Sequence, residues 1–279
     1  DKQKWREIQK DPLKPLLNKS VSGLYSPGST IKPIVALSAL ENNIISPDLK
    51  VNCKGHKHPL ELYGSKYHCW KKKGHGYMSL SNAIKQSCDT YFYEVARLLG
   101  VDKLKETAKK FGLGETVLGD FFNEKKGVVP STEWKKRAIG QNWYLGETLI
   151  TGIGQGYIQT TPIQLCLMTA QLANGGFKIY PKIILDSNQE TVEEIKSKML
   201  SEMETNEEDI KSRFNSGIFF GDDSKKYKAL YRNKENVKFV LNAMFRSTNE
   251  VYGTSFSSRI EDPKYQFAGK TGTAQVKRI

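Results

Sequence analysis

The pattern of apolar and polar positions predicts a mostly helical chain. An uninterrupted apolar run at 34–40 predicts a helix over 30–42. Apolar residues at helical spacing predict an amphipathic helix over 161–174, with Pro162 in its first turn and two glycines directly after its end. Further helical segments are predicted at the charged N-terminus and at 80–86, 90–99, 102–111 and 237–245.

Four stretches depart from helical periodicity. Residues 46–79 are rich in Pro, Gly, Lys, His and aromatic residues, and such a loop-rich insert is not packed by a core of its own. Residues 112–150 form a loop-rich section that includes Trp134 and Trp143. Residues 186–236 form a charged variable segment, in which a helical pattern at 192–203 suits a surface or a small separate lobe. Small residues at the centre of 265–276 predict a strand.

Length and charge limit the classes of protein that this chain can belong to. Its 279 residues allow one large domain, or one domain with a smaller lobe. The net charge of +13 suits a polyanion or an anionic membrane face as a neighbour. Because the charge is spread along the chain and no nucleic-acid motif is found, we expect no nucleic-acid partner. The chain has no starting Met and ends abruptly, so we expect it to be a piece of a longer protein.

A candidate nucleophile lies at the start of the helix over 30–42. Ser29 and Lys32 are three residues apart, and such positions share one helix face. A serine hydroxyl is a poor nucleophile until a base takes its proton, and a lysine is such a base only where its pKa is lowered. The spacing recurs by chance, so the alternative is an exposed first turn with Ser29 as its cap.

Two further motifs follow the Ser-x-x-Lys spacing in a fixed order. Ser87-Cys88-Asp89 comes between two predicted helices, and Lys270-Thr271-Gly272 lies in the predicted strand. Ser-x-x-Lys, Ser-x-Asn or a variant, and Lys-Thr-Gly together form the motif set of penicillin-binding proteins and serine β-lactamases. Asp89 also suits an N-cap, and Lys270-Thr271-Gly272 also suits a basic edge strand. Gly154-Gln155-Gly156 lacks the spacing of a phosphate-binding loop and is interpreted as a tight turn.

The chain closely resembles the transpeptidase domain of the elongation-specific, class B penicillin-binding protein 2 family. The resemblance covers most of 1–279, which we assign to one partial transpeptidase domain, and it weakens over 186–236. It is carried by the following segments: Pro27-Gly28-Ser29-Thr30-Ile31-Lys32-Pro33, Trp70-Lys71-Lys72-Lys73-Gly74-His75-Gly76, Gln86-Ser87-Cys88-Asp89-Thr90-Tyr91-Phe92-Tyr93, Glu133-Trp134-Lys135, Ile153-Gly154-Gln155-Gly156-Tyr157, Thr161-Pro162-Ile163-Gln164 and Gly269-Lys270-Thr271-Gly272-Thr273-Ala274-Gln275.

The resemblance implies an α/β (α+β) fold of the penicillin-binding protein and serine β-lactamase type. A central antiparallel sheet is flanked by helices, with a largely helical lobe over the cleft. Since the family has strands before residue 1 and after the Lys-Thr-Gly strand, we expect the domain to be truncated at both ends.

The same resemblance implies a peptidoglycan D,D-transpeptidase that acts on stem peptides ending in D-Ala-D-Ala. Ser29 would attack the penultimate carbonyl with Lys32 as general base, and Ser87 and Lys270 would relay the proton to the leaving D-alanine. Backbone N–H groups of Ser29 and Thr273 would form the oxyanion hole. The acyl group would then pass to an amine on a second stem peptide, and β-lactams would acylate Ser29. No cofactor is implied for catalysis.

The resemblance implies that the third motif binds the C-terminal end of the donor peptide. The resemblance implies that Lys270, Thr271 and Thr273 hold the terminal carboxylate. Gly272 has no side chain, so the peptide can lie against this strand. Asp89 replaces the usual Asn, and a carboxylate only accepts hydrogen bonds, so Asp89 favours a cationic lysine nearby and receives a positioning role.

The resemblance also implies a location and partners. Family members work at the periplasmic face of the bacterial inner membrane, carry an N-terminal anchor that this chain lacks, and pair with a membrane glycan polymerase. Shape-determining elongation proteins are expected as further partners of the full-length protein. The alternatives are a serine β-lactamase or β-lactam sensor, and a non-catalytic cell-wall scaffold.

Cysteines are concentrated around the insert at 46–79. Cys53, Cys69, His75 and Cys88 together offer the ligands of a tetrahedral structural zinc site. Some family members hold zinc at similar places, although with Asp, His and Cys ligands. The alternatives are a Cys53–Cys69 disulfide with Cys88 free, or three reduced structural cysteines. The nearby histidines His56, His58 and His68 are alternatives to His75. Cys166, beside leucines on the helix over 161–174, is predicted to lie in the core.

Overall fold

The computed structural model describes residues 1–118, 123–181 and 228–274. Ten α-helices lie in this part of the chain: α1 Lys2–Lys10, α2 Lys19–Ser22, α3 Lys32–Glu41, α4 Leu80–Lys85, α5 Asp89–Leu99, α6 Val101–Lys110, α7 Thr132–Ile139, α8 Leu145–Thr151, α9 Pro162–Ala173 and α10 Lys234–Asn249. Short 3-10 turns cover Gly28–Ile31, Phe256–Ser258 and Pro263–Tyr265. Among the described helices, none is both long and apolar enough to cross a membrane.

Helix α3 is the centre of the core. Every residue from Lys32 to Leu40 is buried, which fits a helix that is apolar on all sides. Helices α5, α6 and α10 pack around α3, and α10 also packs along α4. The first residue of this central helix is Lys32, so the core itself fixes the position of a lysine amine.

The strands form two small antiparallel sheets between α3 and α4. β1 Val51–Cys53 pairs with β4 Gly76–Met78, with Cys53 opposite Gly76. β2 Leu60–Leu62 pairs with β3 Ser65–Tyr67 in the segment that β1 and β4 enclose. The insert therefore has little regular structure, as predicted, and the β1–β4 pairing brings Cys53 beside His75.

The loop-rich stretch 112–150 contains two helices that the sequence did not predict, α7 and α8. Ser131 caps α7 by accepting a hydrogen bond from the Trp134 N–H at 3.0 Å, and Lys135 in α7 pairs with Glu147 in α8 at 2.5 Å. These polar contacts, rather than an apolar period, hold the two helices together.

The stretch at 265–276 is not a paired strand over its described part, which ends at Ala274. No described segment forms a ladder of hydrogen bonds beside it. It is anchored instead by the Gly269 N–H, which donates to the Met244 carbonyl at 3.2 Å, and by the Thr271 hydroxyl, which donates to Thr254 Oγ1 at 2.9 Å. The helical pattern predicted at 192–203 lies outside the described residues.

Cys166 is exposed, so its predicted core position is wrong. The buried face of α9 consists of Gln164, Leu167, Met168, Gln171 and Leu172. Position 166 lies on the other side of that helix.

Candidate active site and a cysteine–histidine cluster

The first motif forms a tight turn that leads into the central helix. Ser29 lies in the 3-10 turn Gly28–Ile31, and α3 begins directly afterwards with Lys32. Pro33 stands in the first turn of α3, where its missing N–H has no partner to lose. Ser29 and Lys32 therefore share one face of a continuous helical segment.

Lys32 is fully buried and donates to three acceptors. Its Nζ lies 2.7 Å from Asp89 Oδ1, 2.9 Å from the Ser87 carbonyl and 3.2 Å from Ser87 Oγ. No hydrogen bond joins Lys32 Nζ to Ser29 Oγ, and all the atoms concerned lie in the described part of the chain. These contacts fix the Lys32 amine beside the second motif, and its predicted role as general base stays a prediction.

Asp89 links Lys32 to the insert. Its second carboxylate oxygen accepts from the Trp70 N–H at 2.9 Å. Asp89 is the first residue of α5 rather than its N-cap, which is Cys88, so the predicted capping role is wrong. The Asp89 carboxylate forms an ion pair with the buried Lys32 side chain. A hydrogen bond between two charged groups is stronger than one to a neutral N–H. Its predicted positioning role agrees with this arrangement.

Ser87 stands between two lysines. Its backbone has φ +54°, a left-handed conformation that non-glycine residues rarely adopt. Ser87 Oγ lies 3.2 Å from Lys32 Nζ and 2.8 Å from Lys270 Nζ. A strained residue of this kind persists only where its surroundings hold it, and such residues concentrate at functional sites.

Among the residues that the structure describes, no carboxylate pairs with Lys270. Its Nζ contacts Ser87 Oγ at 2.8 Å and the Thr271 carbonyl at 2.9 Å. Burial and the positive charge of Lys32 lower the pKa of Lys270 to about 7, and the charge of Asp89 offsets only part of this effect. Near neutral pH, a substantial fraction of Lys270 is therefore uncharged.

The three motifs line one open cleft of about 610 Å³. Ser29, Ser87 and Asp89 border it, together with Thr271 and Thr273 of the third motif. The remaining lining residues are His56, His68, Cys69, Trp70, Tyr93, Ile153, Gln155 and Thr254. The structure thus brings together the sequence-predicted serines and both threonines around a space that a peptide end can enter.

The turn at 154–156 supports the cleft. A Cβ on Gly154 would lie 2.0 Å from the Gly28 carbonyl oxygen, and the Gly28 N–H donates to the Gly154 carbonyl at 2.9 Å. Gln155 Nε2 donates to the Thr273 carbonyl at 3.3 Å. The prediction of a tight turn did not include these contacts, because Gly-x-Gly spacing carries no information about which segment lies against it.

Gly272 is needed by the packing of the protein itself. A Cβ on Gly272 would lie 2.6 Å from Thr30 Cγ2, next to the nucleophile turn. The sequence suggested that Gly272 leaves room for a peptide. The structure gives it a second reason, since the third motif approaches the first too closely for a side chain.

Cys53, Cys69, His75 and Cys88 form a compact cluster, with all four ligand atoms within 4.8 Å of one another. His75 Nδ1 lies 3.5 Å from both Cys53 Sγ and Cys69 Sγ. In a tetrahedral zinc site with Zn–S of about 2.3 Å and Zn–N of about 2.0 Å, sulfur and nitrogen are about 3.5 Å apart. The cluster therefore fits a zinc ion.

The four groups of the cluster interact strongly. The three cysteines are free. Hydrogen bonds from Cys69 and Cys88 hold the pKa of Cys53 well below its usual range, and the same bond to Cys53 raises the pKa of Cys88. Burial lowers the pKa of His75, but its contacts with the two nearest sulfurs outweigh burial and raise the pKa to about 9. Zinc would bind the deprotonated cysteines and the neutral imidazole, so its binding would release protons from the cluster.

The other histidines of the insert do not join the cluster. His56 Nε2 lies 2.8 Å from the Cys69 carbonyl oxygen, and its ring packs against His68 with centroids 5.0 Å apart.

Trp70 is a site residue to which the sequence analysis gave no role. Its indole N–H donates to the Ser87 carbonyl at 3.1 Å, so it joins the insert to the second motif.

Comparisons with known proteins give a consistent result. The family described as "Penicillin binding protein transpeptidase domain" matches residues 1–278. The peptidoglycan D,D-transpeptidase MrdA of Acinetobacter baumannii is 35% identical over 265 residues, which are 95% of this chain and 35% of that protein. The chain spans about a third of the length of the curated relatives it matches.

Solved structures show the same likeness. Pseudomonas aeruginosa PBP2 in complex with WCK 5153 is 36% identical with a TM-score of 0.77, covering 99% of this chain and 56% of that one. Helicobacter pylori PBP2 in complex with MreC is 31% identical with a TM-score of 0.79, covering 99% of this chain and 45% of that one. The predicted resemblance and fold class are confirmed.

Proposed function

The chain belongs to the penicillin-binding protein transpeptidase family, and from that premise we propose that it cross-links peptidoglycan stem peptides through an acyl-enzyme at Ser29. One observation carries the proposal beyond family membership. Ser29, Ser87 and the third motif border a single cleft, and Ser87 lies within hydrogen-bond distance of both Lys32 and Lys270. A nucleophile, a proton relay and a pair of amines are the parts that acyl transfer needs.

The acylation step follows from this arrangement. Ser29 Oγ attacks the carbonyl of the penultimate D-alanine, and the new tetrahedral oxyanion faces the backbone N–H groups of Ser29 and Thr273. Ser87 carries the proton between the lysine pair and the reacting atoms. The carbon–nitrogen bond to the terminal D-alanine then breaks, and that amine receives the proton.

The third motif supplies the donor specificity. The terminal carboxylate of the donor binds beside Lys270, Thr271 and Thr273. In the free protein the Thr271 hydroxyl donates to Thr254 at 2.9 Å, so it rotates towards the carboxylate when the donor binds. A terminal carboxylate is therefore required of the donor, and β-lactams satisfy the same requirement.

An assay with a donor peptide and an amine acceptor tests the proposal. Together with penicillin, it separates a transpeptidase from a β-lactamase and from a non-catalytic scaffold. We expect a pentapeptide ending in D-Ala-D-Ala to lose D-alanine and to form a new amide when an amine acceptor is present. Ser29→Ala abolishes both products, while Cys166→Ser, on the exposed face of α9, changes neither. Rapid turnover of penicillin without amide formation favours a β-lactamase, and no reaction with either substrate favours a scaffold.

Zinc is proposed as a structural ligand of the insert. Cys53, Cys69, His75 and Cys88 would hold it, and the bound ion would supply a fixed cross-link rather than chemistry on the substrate. Support comes from the fit of the ligand set and from the position of Cys88 between Ser87 and Asp89. The ion would tie the second motif to β1 and to Trp70.

Location and partners are proposed for the full-length protein. Peptidoglycan precursors are cross-linked outside the bacterial inner membrane, so we place the domain at its periplasmic face. Helicobacter pylori PBP2 has been solved with MreC, which supports a shape-determining elongation protein as a partner here. A membrane glycan polymerase is the second proposed partner, since new strands must be supplied to the cross-linking site.

A further inference from the structure

One threonine at the cleft joins the second and third motifs. The Thr271 hydroxyl donates to Thr254 Oγ1 at 2.9 Å. The Thr254 N–H donates to the carbonyl of Lys85, which comes two residues before Ser87 in the chain, at 3.2 Å. Thr254 also borders the cleft itself. It belongs to none of the three motifs, so the sequence predicts no role for it.

The backbone around Thr254 is held on both sides. A Cβ on Gly253 would lie 2.2 Å from the Ser247 carbonyl oxygen, so Gly253 lies closer to α10 than a side chain allows. The Ser255 N–H donates to the same carbonyl at 3.1 Å. Together with the bond to Lys85, these main-chain contacts fix the position of Thr254. A change of its side chain therefore leaves the backbone contacts in place.

Three hydroxyls form a short chain that leads from α10 to the cleft. Thr254 Oγ1 lies 3.2 Å from Ser247 Oγ and 2.9 Å from Thr271 Oγ1. Ser247 is fully buried, whereas both threonines are half-buried and border the cleft. A hydroxyl has one proton and two lone pairs. Thr254 thus accepts the Thr271 proton and keeps its own proton for Ser247 or for the Lys85 carbonyl at 3.5 Å.

Binding of a donor changes the direction of this chain. Under the proposed function, the Thr271 hydroxyl turns its proton to the terminal carboxylate of the donor. Thr271 Oγ1 then has a lone pair free on the side of Thr254. Thr254 turns its own proton to that lone pair, and a hydroxyl that accepts such a bond becomes a stronger donor to the carboxylate. The bond between the two threonines is kept, with its direction reversed.

We propose that Thr254 is a positioning residue of the carboxylate subsite, which holds the Thr271 hydroxyl in place and donates to it when a donor carboxylate binds. The proposal rests on the proposed acyl transfer and on the donor specificity given there to the third motif, and it adds a residue to that site. No covalent bond forms or breaks in this step, since only hydroxyl protons reorient.

The charge of the ligand distinguishes a positioning role from a packing role. Hydrogen bonds to a charged carboxylate are stronger than bonds between neutral groups. The Thr254 hydroxyl therefore matters most for a ligand that ends in a carboxylate, and little for one that ends in an ester or an amide. A residue that only supported the fold would affect both ligands to the same extent.

Acylation by benzylpenicillin and by its methyl ester tests the proposal, with intact-mass spectrometry giving both rate constants. Thr254→Val keeps the shape of the side chain and removes the hydroxyl. We expect the rate constant for benzylpenicillin to fall about tenfold and that for the ester to change by less than about twofold. Thr254→Ser restores the rate, and Thr254→Ala replaces the valine variant if that variant does not fold. Thr169→Val is the matched control, since Thr169 is exposed on α9 and its hydroxyl donates to the Leu165 carbonyl.

A double-mutant cycle with Thr271→Val shows whether Thr254 acts through Thr271. We expect Thr254→Val to have little further effect on benzylpenicillin acylation once the Thr271 hydroxyl is absent. The proposal is overturned by an equal loss for the acid and the ester, by no loss for either, or by a loss that is additive with that of Thr271→Val.

Binding to Ser29→Ala protein separates this proposal from the proposed function. NMR titration with a pentapeptide ending in D-Ala-D-Ala, and with its C-terminal amide, measures binding without acyl transfer. We expect Thr254→Val to weaken binding of the acid about tenfold and to leave binding of the amide unchanged. If the wild-type protein forms no Ser29 adduct while this selectivity persists, the proposed function fails and the role of Thr254 stands. If Thr254→Val weakens acid and amide equally, or neither of them, the role of Thr254 is wrong.

Discussion

Replacing Cys88 by serine is expected to prevent zinc binding and to disable acylation together. The insert has almost no apolar core, so the proposed zinc ion would be its main fixed point, and structural zinc contributes on the order of 10 kcal/mol of binding free energy in small domains. Cys88 lies directly between Ser87 and Asp89 in the chain. Its movement therefore shifts both the proton relay and the carboxylate that holds Lys32.

The measurement has three parts. Native mass spectrometry gives the zinc content, thermal unfolding gives the melting temperature, and fluorescent penicillin gives the acylation rate. We expect one zinc per wild-type chain and none in Cys88→Ser. The melting temperature of Cys88→Ser should be lower by on the order of 10 °C, which corresponds to a loss of about 3 kcal/mol of unfolding free energy.

Cys166→Ser is the matched control, since this cysteine is exposed and distant from the cluster in sequence. A wild-type protein without zinc, or a Cys88→Ser variant that melts and acylates normally, contradicts the zinc proposal.

Replacing Asp89 by alanine is expected to cost about 3–5 kcal/mol of unfolding free energy. The Lys32 side chain is fully buried and that of Asp89 is 12% exposed, so the variant leaves a buried ammonium without its counter-charge. The Trp70 N–H loses its acceptor at the same time. Lys32→Met should cost less, because Asp89 keeps the Trp70 bond and its contact with the cleft.

Urea unfolding of these variants tests the ion pair. Asp102→Ala is the control, since the Asp102 carboxylate accepts two hydrogen bonds from Thr132 at the surface, and its loss should cost about 1 kcal/mol. If Asp89→Ala costs no more than Asp102→Ala, Lys32 is not held as a buried ammonium.

Sequence motifs predicted which residues come together around the cleft, but they did not predict the contacts between these residues. Ser29 and Lys32 are neighbours because positions three residues apart lie on one face of a helix. Predicting the helix is therefore enough to predict that they are close. The acceptors of Lys32 come from Ser87 and Asp89, which lie 55 and 57 residues further along the chain. Their approach depends on how α5 packs against α3, and a single sequence does not state that packing.

The insert at 46–79 shows a second kind of contact that the sequence alone did not predict. The composition of 46–79 indicated that an apolar core was missing, and the concentration of cysteines and histidines around it indicated metal ligands. The β1–β4 register and the choice of His75 over His56 depend on backbone hydrogen bonds, such as the 3.0 Å bond from the His75 N–H to the Cys53 carbonyl. Helices α7 and α8 were missed for a similar reason. Their stability comes from a cap and from the buried Lys135–Glu147 pair, which leave no apolar period in the sequence.

Intact-mass spectrometry after incubation with benzylpenicillin tests the central claim most directly. The account predicts a persistent adduct of one penicillin per chain, mapped to Ser29 by peptide sequencing and absent in Ser29→Ala. Ser29 is the nucleophile in the cleft shared by Ser87 and the third motif, so no other serine should be labelled. An adduct on another residue, or an unmodified mass in a protein whose thermal unfolding shows that it is folded, would contradict the acyl-enzyme at Ser29.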